Sequence, residues 1–187
     1  METYEILIYG GISGGVAAAV QAARMGKSVA LIHPGQHLGG MTSGGLGFVD
    51  VGDPRTVGGI AHEYFHRVWA HYQNDANWTR EAKHPMRGQH PPLPEHDQTM
   101  WIVEPSVAER LFDTMAAEAK VKVIRNERLD RANGVKMDGK KIASITMESG
   151  VAFAAKMFID ATYEGDLMAA AGVSYIVGPV SYTHLTL

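Results

Sequence analysis

The sequence predicts an α/β domain: a largely parallel sheet flanked by helices, with an antiparallel β-meander inserted ahead of its last strand. Two short unbroken apolar runs, at residues 6–9 and 29–32, have the character of strands buried on both faces of a parallel sheet. A glycine cluster at residues 10–15 and an alanine-rich stretch lie between them, so strand, turn, helix and strand follow one another in the span of one βαβ unit. Further along, Asn133-Gly134, Asp138-Gly139 and Ser149-Gly150 are turn dipeptides at short intervals, the mark of a meander over residues 127–155.

Taken in order, the first helix is expected over residues 16–25, with Gly26 as its C-terminal cap. Eight glycines occur from Gly39 to Gly59 with little periodicity, which implies tight turns or backbone passing close to a ligand. Residues 60–73 then read as a helix with Ile60, Tyr64, Val68 and Tyr72 on its apolar side. A polar stretch over residues 74–98, with Pro85, Pro91, Pro92 and Pro94, is expected as a long surface excursion. Beyond Pro105, Ser106 and Glu109 have capping-box spacing ahead of Leu111, Phe112 and Met115. Strands at 121–124 and, after the meander, 157–160 complete the sheet, and a short helix follows residues 161–166.

Composition limits the function. Seventeen Lys and Arg against twenty Asp and Glu leave a net charge of -3, which gives no basis for nucleic-acid binding or for an anionic membrane surface, and favours a small-molecule substrate as partner. Without cysteine there is no disulfide framework, no Cys-based zinc site and no redox-active thiol pair, so redox chemistry requires a cofactor. A cytoplasmic location is the expectation. The first residues lack a basic segment, and the run at 6–9 is too short for a signal-peptide core or a membrane span, so the start is read as native.

The glycine cluster approximates the dinucleotide fingerprint G-x-G-x-x-G, in which the glycines permit a tight turn, close approach to a pyrophosphate and close helix packing. Gly10 and Gly15 hold the outer positions, but Ile12 stands where the middle glycine belongs. A strand before it, an alanine-rich helix after it and a second strand beyond are the context that the fingerprint needs, and make the fold Rossmann-type. At the end of the second strand, where an acidic residue usually accepts hydrogen bonds from the adenosine ribose, this chain has His33. A neutral imidazole accepts one hydrogen bond and cannot make the bidentate charged contact of a carboxylate.

Three segments together resemble the FAD-dependent oxidoreductases that carry a GGxxxG turn, a GGMTSGGL loop and a DATYEGDLMAAAGV segment. They are residues 9–19, 37–46 and 160–173, and the resemblance runs from Tyr4 to about Gly178. It implies that Gly10, Gly11, Ile12, Ser13, Gly14 and Gly15 cradle the FAD pyrophosphate, with His33 beside the adenosine ribose. It further implies that Gly39, Gly40, Met41, Thr42 and Ser43 run along the ribityl chain and flavin. Asp160, Ala161 and Thr162 would make a second backbone contact to the cofactor, and the backbone around Leu129 would lie against the adenine. The flavin would do the redox step, no catalytic acid or base is assigned, and the substrate domain is expected beyond the end of this chain. The FAD-binding domain is taken as residues 1–179, and residues 180–187 as a non-native tail. An inactive truncated dinucleotide-binding module is the alternative.

One competing motif needs weighing. His62-Glu63-Tyr64-Phe65-His66 is a literal H-E-x-x-H, which on a helix places two histidines one turn apart as zinc ligands with the glutamate as general base. The apolar side marked by Tyr64 and Val68 turns His62, Glu63 and His66 toward the polar side, so a solvated helix face is the favoured reading. Of the other histidines, His71, His84, His90 and His96 are expected at the surface, whereas His37 precedes the glycine pair of the flavin loop and could contact cofactor or substrate.

Overall fold

The computed structural model describes residues 1–50, 52–83 and 98–176. The four prolines of the polar excursion, His84, His90, His96 and the tail at 180–187 lie outside these. One six-stranded sheet organises the chain, in the order β3-β2-β1-β6-β5-β4. β1 (Glu2–Tyr9), β2 (Val29–His33), β3 (Lys122–Arg125) and β6 (Ala152–Asp160) run parallel, while β4 (Val135–Asp138) and β5 (Lys141–Thr146) extend the sheet antiparallel beyond β6.

The apolar runs of β1 and β2 take the centre of the sheet because both of their faces are covered. Leu7, Ile8, Leu31 and Ile32 have no exposed surface, and each such burial contributes about 1.5–3 kcal/mol. On one face Ile8 and Leu31 pack under α1 (Ser13–Arg24), α2 (Gly59–Gln73) and α3 (Pro105–Glu118), through Val16, Val68, Phe112 and Met115. On the other, Leu7, Tyr9 and Ile32 meet Leu129, Ile145 and Met147 of the meander and Leu167 of the short α4 (Asp166–Ala170). Gly26, at φ 78°, closes α1 as expected, with Lys27 N–H reaching the Ala22 carbonyl and Gly26 N–H the Ala23 carbonyl. On α2, Tyr64, Val68 and Tyr72 are the buried residues, on the side that the spacing indicates.

Two details differ from expectation. The end of the meander and the last parallel strand are one nine-residue strand, β6, pairing antiparallel with β5 through residues 152–154 and parallel with β1 along most of its length. Lys156 breaks the apolar run in sequence, but strand pairing is a backbone property and passes through it. The capping box at Ser106 and Glu109 does not form. Pro105 is the first helical residue and Glu104 the N-cap, so the helix starts two residues earlier, and the Glu109 carboxylate goes to His37 instead.

Candidate functional site

The carboxyl ends of β1, β2 and β6 lie side by side, and the chain after each is forced into close contact with the others. Gly10 follows β1 at φ 111°, a backbone conformation that L side chains rarely adopt. A Cβ there would lie 2.5 Å from the Ala161 carbonyl group and 2.7 Å from the Thr162 nitrogen, atoms of the turn after β6. At Gly15 a Cβ would lie 1.9 Å from the Gly10 oxygen. Backbone atoms cannot step aside, so both outer glycines are required. Gly14 differs: a Cβ there meets nothing within 4 Å.

Ser13 and Gly14 are the first two residues of α1. No side chain caps this end, since Ile12 is the N-cap, and no acidic residue stands in the first turn. The N–H groups and positive dipole end of a twelve-residue helix are therefore uncapped by any side chain, and the space a Cβ at Gly14 would enter is open, which suits an anion. Ile12 lies against the second loop, its Cγ2 2.9 Å from where a Gly40 Cβ would be.

His33 ends β2 and turns its ring onto the glycine turn. Gly11 N–H donates to His33 Nδ1 at 3.0 Å, and a Cβ on Gly11 would lie 2.8 Å from His33 Cγ. Burial is the main cause that lowers the His33 pKa, helped by the charges of Arg125 and His37 and opposed by a hydrogen bond with the His37 backbone. Nδ1 is thus the acceptor, and burial favours the neutral form of the ring.

The second loop is pinned from several directions. Gly39 N–H donates to the Gly11 carbonyl at 2.8 Å, and Gly39 and Ile12 form a parallel bridge. Gly39 and Gly40 have φ 105° and 57°, and a Cβ on Gly39 would strike the Phe112 ring of α3. The Ser43 hydroxyl donates to the Leu38 carbonyl, and Leu38 is wholly buried. Residues 40–42 make one 3₁₀ turn, leaving Met41 exposed and Thr42 half-buried. Across the site, the Tyr163 hydroxyl accepts from Met41 N–H at 2.8 Å and would lie 2.2 Å from a Gly40 Cβ.

Asp160 works inside its own turn. Its carboxylate accepts from Thr162 N–H (2.9 Å), the Thr162 hydroxyl (2.7 Å) and Met168 N–H (2.8 Å), and Thr162 Oγ1 accepts from Gly165 N–H at 2.9 Å. Ala161 N–H donates to the Tyr9 carbonyl at 2.8 Å. Residues 10–15, His33, residues 39–43 and residues 160–162 are therefore one assembly. Leu129 belongs to the packing of the opposite sheet face, fully buried, with its N–H donated to the Tyr9 hydroxyl at 2.9 Å. Sequence reading missed Tyr163, Leu38 and Phe112. Tyr163 had a signal, since it lies within the DATYEGD run; the other two look like ordinary core residues.

The H-E-x-x-H residues serve other ends. Glu63 binds Arg24 (2.5 and 2.9 Å) and Arg67 (3.0 and 2.8 Å), and Arg67 continues to Glu118 on α3. The Arg24 hydrogen bond is the leading cause that takes the Glu63 carboxyl down to about 2, which unfits it as a base near neutrality. His66 Nδ1 sits 2.7 Å from the Gln98 carbonyl. Among the described residues no group of three or more His, Asp or Glu could hold a metal ion. His71 is half-buried beside Asn77 and Arg110, and His37 is exposed, paired with Glu109 at 2.9 Å.

Residues 5–184 match the family described as FAD dependent oxidoreductase. The chain belongs to that family. No curated protein matches the sequence. L-proline dehydrogenase from P. horikoshii superposes with a TM-score of 0.59 at 15% identity, over 95% of this chain and 58% of that one. A geranylgeranyl bacteriochlorophyll reductase-like protein from Thermoplasma acidophilum also gives 0.59, at 20% identity, over 96% of this chain and 44% of that one. A flavin-dependent brominase gives 0.56 at 18% identity, over 91% and 41%. Identities this low establish the shared fold. The chain spans 36 to 58% of the length of the solved structures it matches.

The cofactor of the FAD-dependent oxidoreductases fits the residues present. Its diphosphate is anionic, and the uncapped start of α1 with open space at Gly14 offers N–H donors without a competing acid in the first turn. Among the described residues no helix is long and apolar enough to cross a membrane.

Proposed function

We propose that this chain is the FAD-binding part of a flavin-dependent oxidoreductase that acts on a small organic substrate, with residues 1–179 as one FAD-binding domain and the substrate domain elsewhere in the same protein. One observation carries this reading: three backbone segments, residues 10–15, 39–43 and 160–162, are pressed together at the carboxyl ends of adjacent parallel strands, where open α/β sheets bind nucleotides. The first turn of α1 would receive the diphosphate. Residues 39–43 would flank the ribityl chain and flavin, the turn at 160–162 would approach from the β6 side, and the backbone around Leu129 would lie toward the adenine end. Bound FAD would supply the acceptor for a hydride or for electrons from the substrate. The protein's part is to bind and orient. Met41 in this loop and Leu46 and Phe48 just after it are apolar side chains 57 to 60% exposed. The absence of cysteine suits a cytoplasmic protein.

The test is the absorbance spectrum of the purified protein, with the released cofactor identified by chromatography. Stoichiometric FAD is expected. A folded protein that takes up no flavin when FAD is added would overturn the reading.

A further inference from the structure

We propose that His33 is a positioning residue of the glycine turn, whose neutral imidazole holds Gly11 in the conformation that presents the start of α1 to an anion, and whose protonation releases it. The contact is a feature of the protein alone; its effect on cofactor rests on the FAD reading above.

Gly11 is gripped on both sides of its peptide. Its N–H donates to His33 Nδ1 at 3.0 Å, and its carbonyl accepts from Gly39 N–H at 2.8 Å. A Cβ on Gly11 would lie 2.8 Å from His33 Cγ and 3.0 Å from its Cβ, so the histidine side chain is packed close against the turn as well. An imidazole can accept at Nδ1 only while that nitrogen is unprotonated, and imidazolium has donors alone. Protonation would set two N–H groups facing each other 3.0 Å apart. A carboxylate, the usual residue at this place in the fingerprint, would still accept at pH 6; histidine makes the grip titratable in a range that a carboxylate does not reach.

The surroundings set the direction of the titration. Arg125 is the cross-strand neighbour on β3 and is paired with Asp113 of α3. His37, from the loop after β2, is paired with Glu109 of α3. Glu127, from the segment after β3, gives its N–H to the His33 carbonyl while its carboxylate accepts from Ser149. Neither the glycine turn nor the first turn of α1 contains a titratable residue. Burial comes first and the positive neighbours second in opposing the imidazolium, so release falls below the ordinary value of 6.5.

The experiment compares wild type, His33→Asn and His33→Leu. Asparagine offers Oδ1 at the place of Nδ1 and does not titrate, whereas leucine removes the acceptor. FAD dissociation constants are read from flavin fluorescence between about pH 5 and pH 7.5, and the Gly11 amide and His33 ring are followed by NMR over the same range without cofactor. Near pH 7.5, His33→Asn is expected to bind within about threefold of wild type and His33→Leu about tenfold more weakly, the scale of one lost hydrogen bond. Wild type should weaken about fivefold or more toward pH 5 and His33→Asn should not, that factor corresponding to loss of most of such a bond. The Gly11 amide should shift with the same midpoint as the His33 ring. The proposal is overturned if His33→Asn is as weak as His33→Leu, if both proteins show the same pH profile, if wild type tightens on acidification, or if the Gly11 amide ignores the ring. Should His33→Leu not fold, the asparagine variant and the amide titration still decide. Wild type without FAD uptake would refute the FAD reading, while the amide titration would still judge His33.

Discussion

Gly14→Asp separates binding from folding at the proposed diphosphate seat. Gly14 is the second residue of α1, and a side chain there enters open space on a cavity of about 270 Å³ shared with Ala17, Ile60 and Tyr64. An acidic residue in a first helical turn favours the helix by about 0.3–1 kcal/mol, and replacing an interior glycine adds a few tenths. The apo protein should therefore be as stable as wild type or more so. The same carboxylate would stand about 5 Å from a diphosphate at the helix start, where like charges repel by roughly 3 kcal/mol at an effective dielectric of 20, or about a hundredfold in affinity. Gly14→Ala is the companion: it should add up to about 1 kcal/mol of stability and keep FAD within a few-fold. Thermal melting of the apo proteins and FAD titration read the two effects. They run in opposite directions, which general misfolding cannot mimic. A Gly14→Asp protein that melts normally and binds FAD as wild type does would refute a diphosphate at α1.

Other perturbations follow from named contacts. Tyr163→Phe removes the acceptor for Met41 N–H, so that amide should exchange faster with solvent and FAD should weaken several-fold, on the scale of about 1 kcal/mol for one hydrogen bond. Glu63 has a carboxyl pKa lowered to about 2 from 4.5, so its pairing with Arg24 and Arg67 stabilises fully above pH 4.5 and is lost as the pH falls toward 2. Glu63→Gln should cost about 1 kcal/mol at neutral pH, flatten stability in that acid window, and leave FAD and zinc content unchanged, by urea unfolding and elemental analysis. The Tyr64 hydroxyl is buried without a hydrogen-bond partner among the described residues. Tyr64→Phe should therefore melt at the same temperature as wild type or slightly higher, because an unsatisfied buried hydroxyl costs about 1–3 kcal/mol.

The sheet was largely legible because its central strands are buried on both faces, and that leaves unbroken apolar runs. Leu7, Ile8, Leu31 and Ile32 announce it. Legibility fails where the partner is backbone. Residues 152–160 read as a meander strand and then a parallel strand because Lys156 interrupts the pattern, yet the N–H and C=O ladder does not register the side chain. Pro105 set the start of α3 against a well-spaced Ser106 and Glu109, because a fixed φ and a missing N–H suit the first helical position better than the hydroxyl of the next residue suits a cap.

In the site the same distinction takes a chemical form. Gly10 and Gly15 are readable because a Cβ at either would strike backbone, so the residue type itself records the contact. The side chains that act on the backbone leave no such record. His33 looks like a poor substitute for a ribose-binding carboxylate until its Nδ1 is found on Gly11 N–H, and Tyr163 reaches an amide 122 residues away. Asp160, acidic and beside the glycine turn, invites a role toward ligand, but its carboxylate is taken by the Thr162 N–H and hydroxyl of its own turn and by Met168 N–H of α4. With that carboxylate so engaged and burial favouring the neutral form of His33, the N–H dipoles of α1, whose first turn holds no acid, would be available to a diphosphate at the proposed seat. A diphosphate seat built this way would depend less on a charged residue at the end of β2, and a histidine there would be compatible with binding a dinucleotide anion.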